Sequence, residues 1–285
     1  MTRLVQISDL HFGREDPDLL EPLLAAIDEA APDLVVMAGD FVQRARASQF
    51  EPAARFMDLL GRPWLGVPGN HDIPLYNILL RLFDPYRPYR RWISEELEPF
   101  AALEGILVLG LNTCDPFAHQ RGRVSESDIR RIGDGIGAAG DRLPVIVAHH
   151  PFHHAPEIEK KLMVGAPAAL DHWADCGPHM ILSGHLHNWL FEPFIRRKGA
   201  SMTLQLHCGT GLSRRLRGQP NDFAILDCAA DGVLVTRMIA GERRFRPAEM
   251  ARWSVTDDGW QPGKVPASQE AAPERIGNKR TMPDR

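Results

Sequence analysis

The sequence predicts an α/β layered fold, and three observations predict it. Short apolar runs recur along the chain at lengths suited to buried strands. Stretches with apolar residues at helical spacing lie between the early runs. Five of the runs end on a residue able to bind a metal, at the strand rim where open α/β sheets hold ligands.

The early strand-like runs are residues 4–7, 34–38, 64–67, 106–111, 145–148 and 180–182. Residues 19–30 carry Leu20, Leu23, Leu24 and Ile27 on one helical face, and residues 50–60 carry Phe56, Leu59 and Leu60. Residues 125–132 open with Ser125-x-x-Asp128, a capping pattern in which side chains satisfy the free N–H groups of a first helical turn. Strands alternating with helices over the first two thirds argue for layered α/β architecture. Later runs at 202–206, 223–226 and 233–239 are joined by short turns and predict an antiparallel meander or hairpins.

The chain has 285 residues, enough for a substantial core, with 44% hydrophobic and 25% charged residues. Its formal net charge of −4 gives no overall field toward nucleic acid. The four cysteines, Cys114, Cys176, Cys208 and Cys228, lack zinc-knuckle or redox spacing and are expected as small buried thiols. No apolar run is long enough to span a bilayer. Strand-like sequence starts by Leu4, with candidate ligands soon after, so cleavage of a leader would remove them; the expectation is a cytoplasmic protein.

Residues 73–100 break the pattern: the stretch is rich in Tyr, Arg, Pro and bulky apolar side chains. A packed helix pair with solvated arginines is its simpler reading, and a lid over a lipid phosphate its sharper one. From about Thr256 onward Pro, Gly, Ala, Gln and charges dominate, predicting a mobile tail over 256–285.

The chemistry lies where the runs stop. The first runs into Asp9-Leu10-His11, the second into Gly39-Asp40 and the third into Gly69-Asn70-His71-Asp72. The fifth meets His149-His150 and the sixth Gly184-His185-Leu186-His187. In extended chain, residues i and i+2 share a face, so Asp9 with His11, and His185 with His187, could face one site. Glycines before the candidate ligands permit tight turns and close backbone approach. A donor set of carboxylate, imidazole and amide without thiolate suits manganese, iron, zinc or cobalt. Each motif alone is a weak signal; all five in order after apolar runs point to a metal centre.

This series, together with His149-x-Pro151, resembles the calcineurin-like metallophosphoesterase family over residues 1 to about 240. The resemblance implies a four-layer α-β-β-α sandwich with two central mixed sheets, built from a single domain over residues 1–255. It implies two metal ions, with manganese or iron expected ahead of zinc or cobalt. The carboxylate of Asp40 would bridge them, Asp9, His11 and His187 would hold one, and Asn70, His149 and His185 the other. His150 falls outside the ligand pattern. Block order is most similar to the bacterial cyclic-nucleotide and glycerophosphodiester phosphodiesterases, with Gly122-Arg123-Val124-Ser125 and Cys208-Gly209-Thr210 at comparable places.

Two divalent ions against Asp9, Asp40 and a hydroxide leave the centre near +1, attractive to a phosphodiester anion. The implied reaction is in-line attack of that hydroxide on phosphorus, with His71, beside Asn70, as the acid that protonates the leaving oxygen. Asp72 would orient a histidine or close a turn. Arg196-Arg197-Lys198 and Arg214-Arg215-x-Arg217 are expected as solvated loop charge, with Arg214 or Arg215 as alternative phosphate contacts; His207 is left open between a neighbour of the metals and an ordinary core histidine. A small phosphodiester is the expected substrate, a lipid-linked phosphate or pyrophosphate the alternative, and nucleic acid is disfavoured. A scaffold that kept the fold and lost the chemistry is the non-enzymatic alternative, against which stands the retention of every ligand position.

Overall fold

A computed structural model describes residues 1–154, 158, 160–194 and 202–265. In chain order its first strands are β1 (Thr2–Ile7), β2 (Leu34–Met37) and β3 (Trp64–Gly66), separated by helices α1 (Leu20–Ala30) and α2 (Ala47–Leu59). Two short helices follow, α3 (Ile78–Phe83) and α4 (Arg87–Trp92), then β4 (Phe100–Leu103), β5 (Ile106–Leu111), α5 (Glu126–Gly137) and β6 (Leu143–Ala148). Helix α6 (Ala166–Cys176) leads to β7 (His179–Ser183), β8 (Leu190–Phe194) and β9 (Thr203–His207). The chain closes with β10 (Asp222–Ala229), β11 (Gly232–Ala240), β12 (Phe245–Thr256) and β13 (Gly259–Gly263).

These strands form two mixed sheets. The first runs β13-β12-β11-β10-β1-β2-β3 and the second β4-β5-β6-β7-β9-β8. β1, β2 and β3 are parallel, as are β5, β6, β7 and β9. Those strands are apolar on both faces because both faces are covered. One core lies between the sheets and includes Leu4, Val36, Val145, Leu182, Leu206 and Leu226. A second joins the first sheet to α1 and α2 through Leu23, Ile27, Phe50 and Phe56. A third joins the second sheet to α5 and α6 through Ile129, Ile132, Leu170 and Trp173. The result is the four-layer sandwich expected.

Local sequence explains the helix ends. Ser125 and Asp128 form a reciprocal capping box at the start of α5. α2 starts earlier than its apolar spacing indicated, and Leu59 faces solvent while Phe50, Ala53, Phe56 and Met57 are buried. The meander is β10 to β13, each antiparallel to the next. β9 is the exception: it leaves the meander and pairs parallel to β7 in the other sheet.

The tail expected from Thr256 is corrected. β12 runs through that residue and β13 follows as the edge of the first sheet. The sequence hid this strand because Pro262 and three glycines or glutamines around it read as loop. Trp260 accounts for the order: it is buried between the sheets, and its indole N–H lies 3.1 Å from the carbonyls of both His179 and Met202. It therefore pins an edge strand of the first sheet to backbone of the second. Residues 266–285 of the expected tail lie outside the described residues.

Residues 73–100 hold the helix pair. α4 is packed, with Tyr89 fully buried and its hydroxyl donating to the Gly66 carbonyl at 3.0 Å. α3 buries no side chain. Among the described residues no helix is long and apolar enough to cross a membrane.

Replacing Trp260 by Ala removes both a large buried side chain and the indole donor. The expected cost is about 3–5 kcal/mol, or roughly 10 °C in Tm. Thermal unfolding by circular dichroism checks this, and an unchanged Tm would show that β13 contributes nothing to the sandwich.

Candidate metal centre

The two parallel strand sets point their C-terminal ends toward one edge of the sandwich. Asp9, Asp40 and Asn70 follow β1, β2 and β3 of the first sheet, while His149 and His185 follow β6 and β7 of the second. The site is thus assembled across the gap between sheets. Its own side chains help to close that gap: the His149 Nδ1–H donates to the Ala38 carbonyl at 2.9 Å, and the His185 N–H donates to Asp9 Oδ2 at 2.9 Å. Gln6 in β1 adds a bond to the Ser183 carbonyl at 2.9 Å.

The convergence does not come from extended backbone, as alternation would have it. Asp9, His11, Asp40, His185 and His187 all have positive φ, between 51° and 69°. Among the described residues only Ala31 and Ala45 share that conformation without being glycine. Asp and His tolerate the left-handed region better than bulky apolar residues, yet such backbone costs of order 1–3 kcal/mol per residue when held in place. The pairs Asp9/His11 and His185/His187 therefore converge through successive left-handed turns.

Two glycines make the close approaches. A side chain at Gly69 would collide with Asp40, and one at Gly184 would collide with Ser8 and Asp9. Only hydrogen at these positions lets the loops of different strands meet over the carboxylates.

Four groupings of His and Asp each bring their ligand atoms within 4.8 Å of one another. One is Asp9, His11 and His187; another is His149, His150 and His185. Asp40 enters two groupings, one with His11 and one with His149. Its Oδ2 lies 3.6 Å from His11 Nε2 and 3.4 Å from His149 Nε2. Asn70 completes the set, with Oδ1 3.2 Å from His149 Nε2. All seven expected ligands thus come together, and Asp40 stands between the two halves.

The donor atoms fit a cation. His187 gives its Nδ1–H to the Arg215 carbonyl at 2.9 Å, which leaves the Nε2 lone pair facing Asp9 Oδ1 at 3.1 Å and His11 Nε2 at 3.0 Å. His149 is oriented the same way by Ala38. Asp9 Oδ1 is buried without a hydrogen-bond donor, whereas Asp9 Oδ2 accepts from the Ser8 hydroxyl at 2.5 Å and from His185. Such a focus of lone pairs in a buried setting is unfavourable unless a positive charge sits among them.

Protonation follows the same logic. Burial alone would raise the Asp9 carboxyl, but His187 and His11 outweigh it and hold it well below the usual range. Asp40 is likewise pushed up by burial and brought below its ordinary value by His149, His71 and His11. Burial drives His11 down, and drives His185 far down with help from His150 and His149. His187 is raised, because Asp9 overcomes burial. Anionic carboxylates beside the neutral rings of His11 and His185 are the protonation states that ligation requires, and His187 would release its proton on binding an ion.

The remaining candidate side chains take places around the cluster. Asp72 orients no histidine; its oxygens accept from the N–H groups of Val42 at 3.0 Å and Gly69 at 2.8 Å, bracing the loops that carry Asp40 and Asn70. His150, outside the ligand pattern, has its ring 4.7 Å from that of His185, with Nδ1 on the Thr113 hydroxyl at 2.8 Å. His207 is buried at the end of β9 and belongs to no metal-capable grouping among the described residues. Thr210 does reach the centre, donating to the Asp9 carbonyl at 2.6 Å. Arg214 faces Asp16 at the surface, while Arg215 turns inward. Arg196, Arg197 and Lys198 lie outside the described residues.

His71 sits beside the cluster, its ring 4.8 Å from that of His11, and its backbone N–H donates to Asp40 Oδ1 at 2.8 Å. Its Nδ1–H donates to the Gln43 carbonyl at 2.7 Å, and Arg44 Nη1 is 2.9 Å from the same nitrogen. That tautomer leaves Nε2 to accept from Arg215 Nη1 at 3.3 Å. Burial, His11 and Arg215 push the ring pKa down to about 4 against the pull of Asp40. Arg44 and Gln43 carried no sequence signal; they lie in an unpatterned loop after Asp40. Lys160 was equally silent, yet its ammonium is 3.1 Å from His185 Nε2 and its pKa is lowered to about 8, chiefly by burial and then by Arg217.

Comparison with known proteins agrees with this geometry. The family model for calcineurin-like phosphoesterases matches residues 2–189. UDP-2,3-diacylglucosamine pyrophosphatase LpxG of Chlamydia muridarum is 35% identical over 77 residues, 26% of this chain and 23% of that protein. The chain therefore matches less than a quarter of that relative's length. Longer matches are weaker in identity. The 3′,5′-cyclic adenosine monophosphate phosphodiesterase CpdA of Escherichia coli K12 is 24% identical over 86% of this chain and 92% of its own. The glycerophosphodiester phosphodiesterase GpdQ of Enterobacter lignolyticus is 26% identical over 52% of this chain and 56% of its own. With the two-sheet sandwich, the clustered Asp and His residues and a match over well over half of its length, the chain belongs to the calcineurin-like phosphoesterase family.

Proposed function

We propose that the chain is a two-metal phosphodiesterase acting on small diesters, with cyclic nucleotides or glycerophosphodiesters as the substrate class. The observation that carries this reading is Asp40 standing between two sets of ligand atoms, its Oδ2 within 3.6 Å of His11 and 3.4 Å of His149. Asp9, His11 and His187 would hold one ion, and Asn70, His149 and His185 the other. The relatives named as phosphodiesterases support the substrate class. Manganese or iron suits the mixed oxygen and nitrogen donors, with zinc or cobalt as alternatives. Bound there, divalent ions supply Lewis acidity at phosphoryl oxygens and water acidic enough to ionise near neutral pH.

The protein's own side chains then place and discharge the substrate. Arg215 and Arg44 converge on the His71 ring and present positive charge beside the ligand cluster. The ring is neutral at pH 7, since burial, His11 and Arg215 hold its pKa down at about 4. A phosphate anion seated between His71 and the arginines offsets that depression and lifts the ring toward proton donation. His71 is then the acid for the leaving oxygen, and the guanidiniums share its developing charge.

A pyrophosphate-bearing lipid is the second reading. It is favoured by the identity with LpxG and by the extra cations at the site, Arg44, Arg215 and Lys160, which suit more negative charge than a cyclic nucleotide carries.

Chelation of purified protein should lower Tm by about 5–10 °C, corresponding to ~2.7 kcal/mol for an ion at roughly 100 times its Kd. Metal analysis before and after, with Tm recovered on adding Mn²⁺, checks this; a chelator-insensitive Tm with no bound metal would overturn the two-metal assignment. After loading with Mn²⁺, bis(p-nitrophenyl) phosphate should be cleaved faster than p-nitrophenyl phosphate, and the reverse order would move the chain to the phosphatases. His71→Ala should reduce turnover by about 10²–10⁴-fold on a diester with an alkyl leaving group, and much less on the nitrophenyl ester. Equal losses on both substrates would remove His71 from the proton-donor role.

A further inference from the structure

Among the described residues ten large apolar side chains are exposed, and six of them crowd one place: Tyr76, Ile78, Leu79, Leu82, Phe83 and Phe117. Phe83 is 83% exposed, Phe117 82% and Leu79 70%. Scattered exposed apolar residues are ordinary, but a contiguous group marks an interaction site. α3 carries four of the six and has no fully buried side chain.

The group is built rather than loose. Arg81 donates to the carbonyls of Pro116 and Ala118, each at 2.6 Å, and so clamps α3 to the loop that presents Phe117. A third bond, at 2.9 Å to the Pro74 carbonyl, ties α3 to the stretch that carries Asn70 and His71. The arginine therefore fixes the apolar face relative to the mouth of the metal centre.

Charge identifies what covers it. From Tyr76 to Trp92 there are four arginines against one aspartate, in a chain whose net charge is −4. Arg87, Arg90 and Arg91, on α4, are exposed. A second copy of the chain, packed face to face, would bring these arginine groups together, since a two-fold contact pairs a patch with itself. A protruding face of Leu, Ile, Phe and Tyr flanked by arginines suits instead an anionic bilayer, where apolar side chains enter the interface and guanidiniums meet lipid phosphates.

We infer that α3 and the loop around Phe117 dock the protein on an anionic lipid surface, holding the mouth of the metal centre toward that surface. The inference stands apart from the choice of substrate, because none of these residues belongs to the metal cluster.

Flotation with vesicles tests it. The full chain should rise with vesicles of equal phosphatidylcholine and phosphatidylglycerol and stay behind with phosphatidylcholine alone. The double substitution Leu79→Glu and Phe83→Glu should cut the bound fraction at least about tenfold, as removal of the inserted apolar groups requires. Hydrolysis of bis(p-nitrophenyl) phosphate in solution should be unchanged, which shows the variant folded. Arg87→Glu with Arg90→Glu should weaken binding in the same direction. The inference falls if the wild type stays behind with both vesicles or if binding survives the double substitution. It also falls if ultracentrifugation finds a dimer that the substitution dissolves, which would assign the face to a second copy.

Discussion

Two carboxylates, Asp9 and Asp40, are buried within a few ångströms of one another's imidazole partners, and the architecture around them exists to hold them there. Burying a charge is costly unless it is paired and hydrogen-bonded. Asp9 meets that demand on one side only, through Ser8 and the His185 N–H, while its other oxygen faces His11 and His187. The remaining demand falls on cations. This explains why the same small volume gathers neutral imidazole nitrogens rather than arginines: lone pairs admit a metal, whereas a guanidinium would fill the space. The arginines stay one layer out, around His71.

Holding two sheets' worth of loops over one point requires unusual backbone. Strand ends arrive about a sheet spacing apart, roughly 10 Å, and side chains as short as Asp must still meet. Left-handed turns at five candidate ligands achieve this by bending each loop back over its own strand. The local cost is offset by the inter-sheet core and by hydrogen bonds that run from site to sheet, such as Thr210 to Asp9 and His149 to Ala38. Stability and chemistry are thereby coupled: the residues that strain the backbone are the ones the metals would reward.

Much of this was legible in the sequence, and the reason is physical. A buried parallel strand must be apolar throughout, so its end is sharply marked, and a polar residue there stands at a known rim. Asp9, Asp40, Asn70, His149 and His185 were found in that way. The path by which they converge was not legible, since positive φ at an Asp or His leaves no pattern. Arg44 and Lys160 were missed because a cation in an irregular loop looks like solvated charge until the fold brings it to a ring nitrogen. β13 was missed because its strand character depends on a distant contact, Trp260 with His179 and Met202, rather than on local alternation. Asp72 had two readings, orienting a histidine or closing a turn, and the structure gives it the second, on the N–H groups of Val42 and Gly69.

The division between sheet-borne and loop-borne residues also separates reaction from recognition. Ligands on strand ends are fixed to the two most rigid layers of the molecule, which suits a centre whose geometry must not drift. Arg44, Arg215, Lys160 and the α3 face come from loops and the inserted helices, where sequence can change without disturbing the core. Charge follows the same partition. The chain as a whole is acidic, yet positive side chains concentrate at the mouth of the site and along the insertion. An anionic group approaching from solvent is repelled weakly by the body and drawn to this one edge. The metal-capable cluster is thus fixed by the sandwich, while the cations around it are set by loops that can vary without disturbing it.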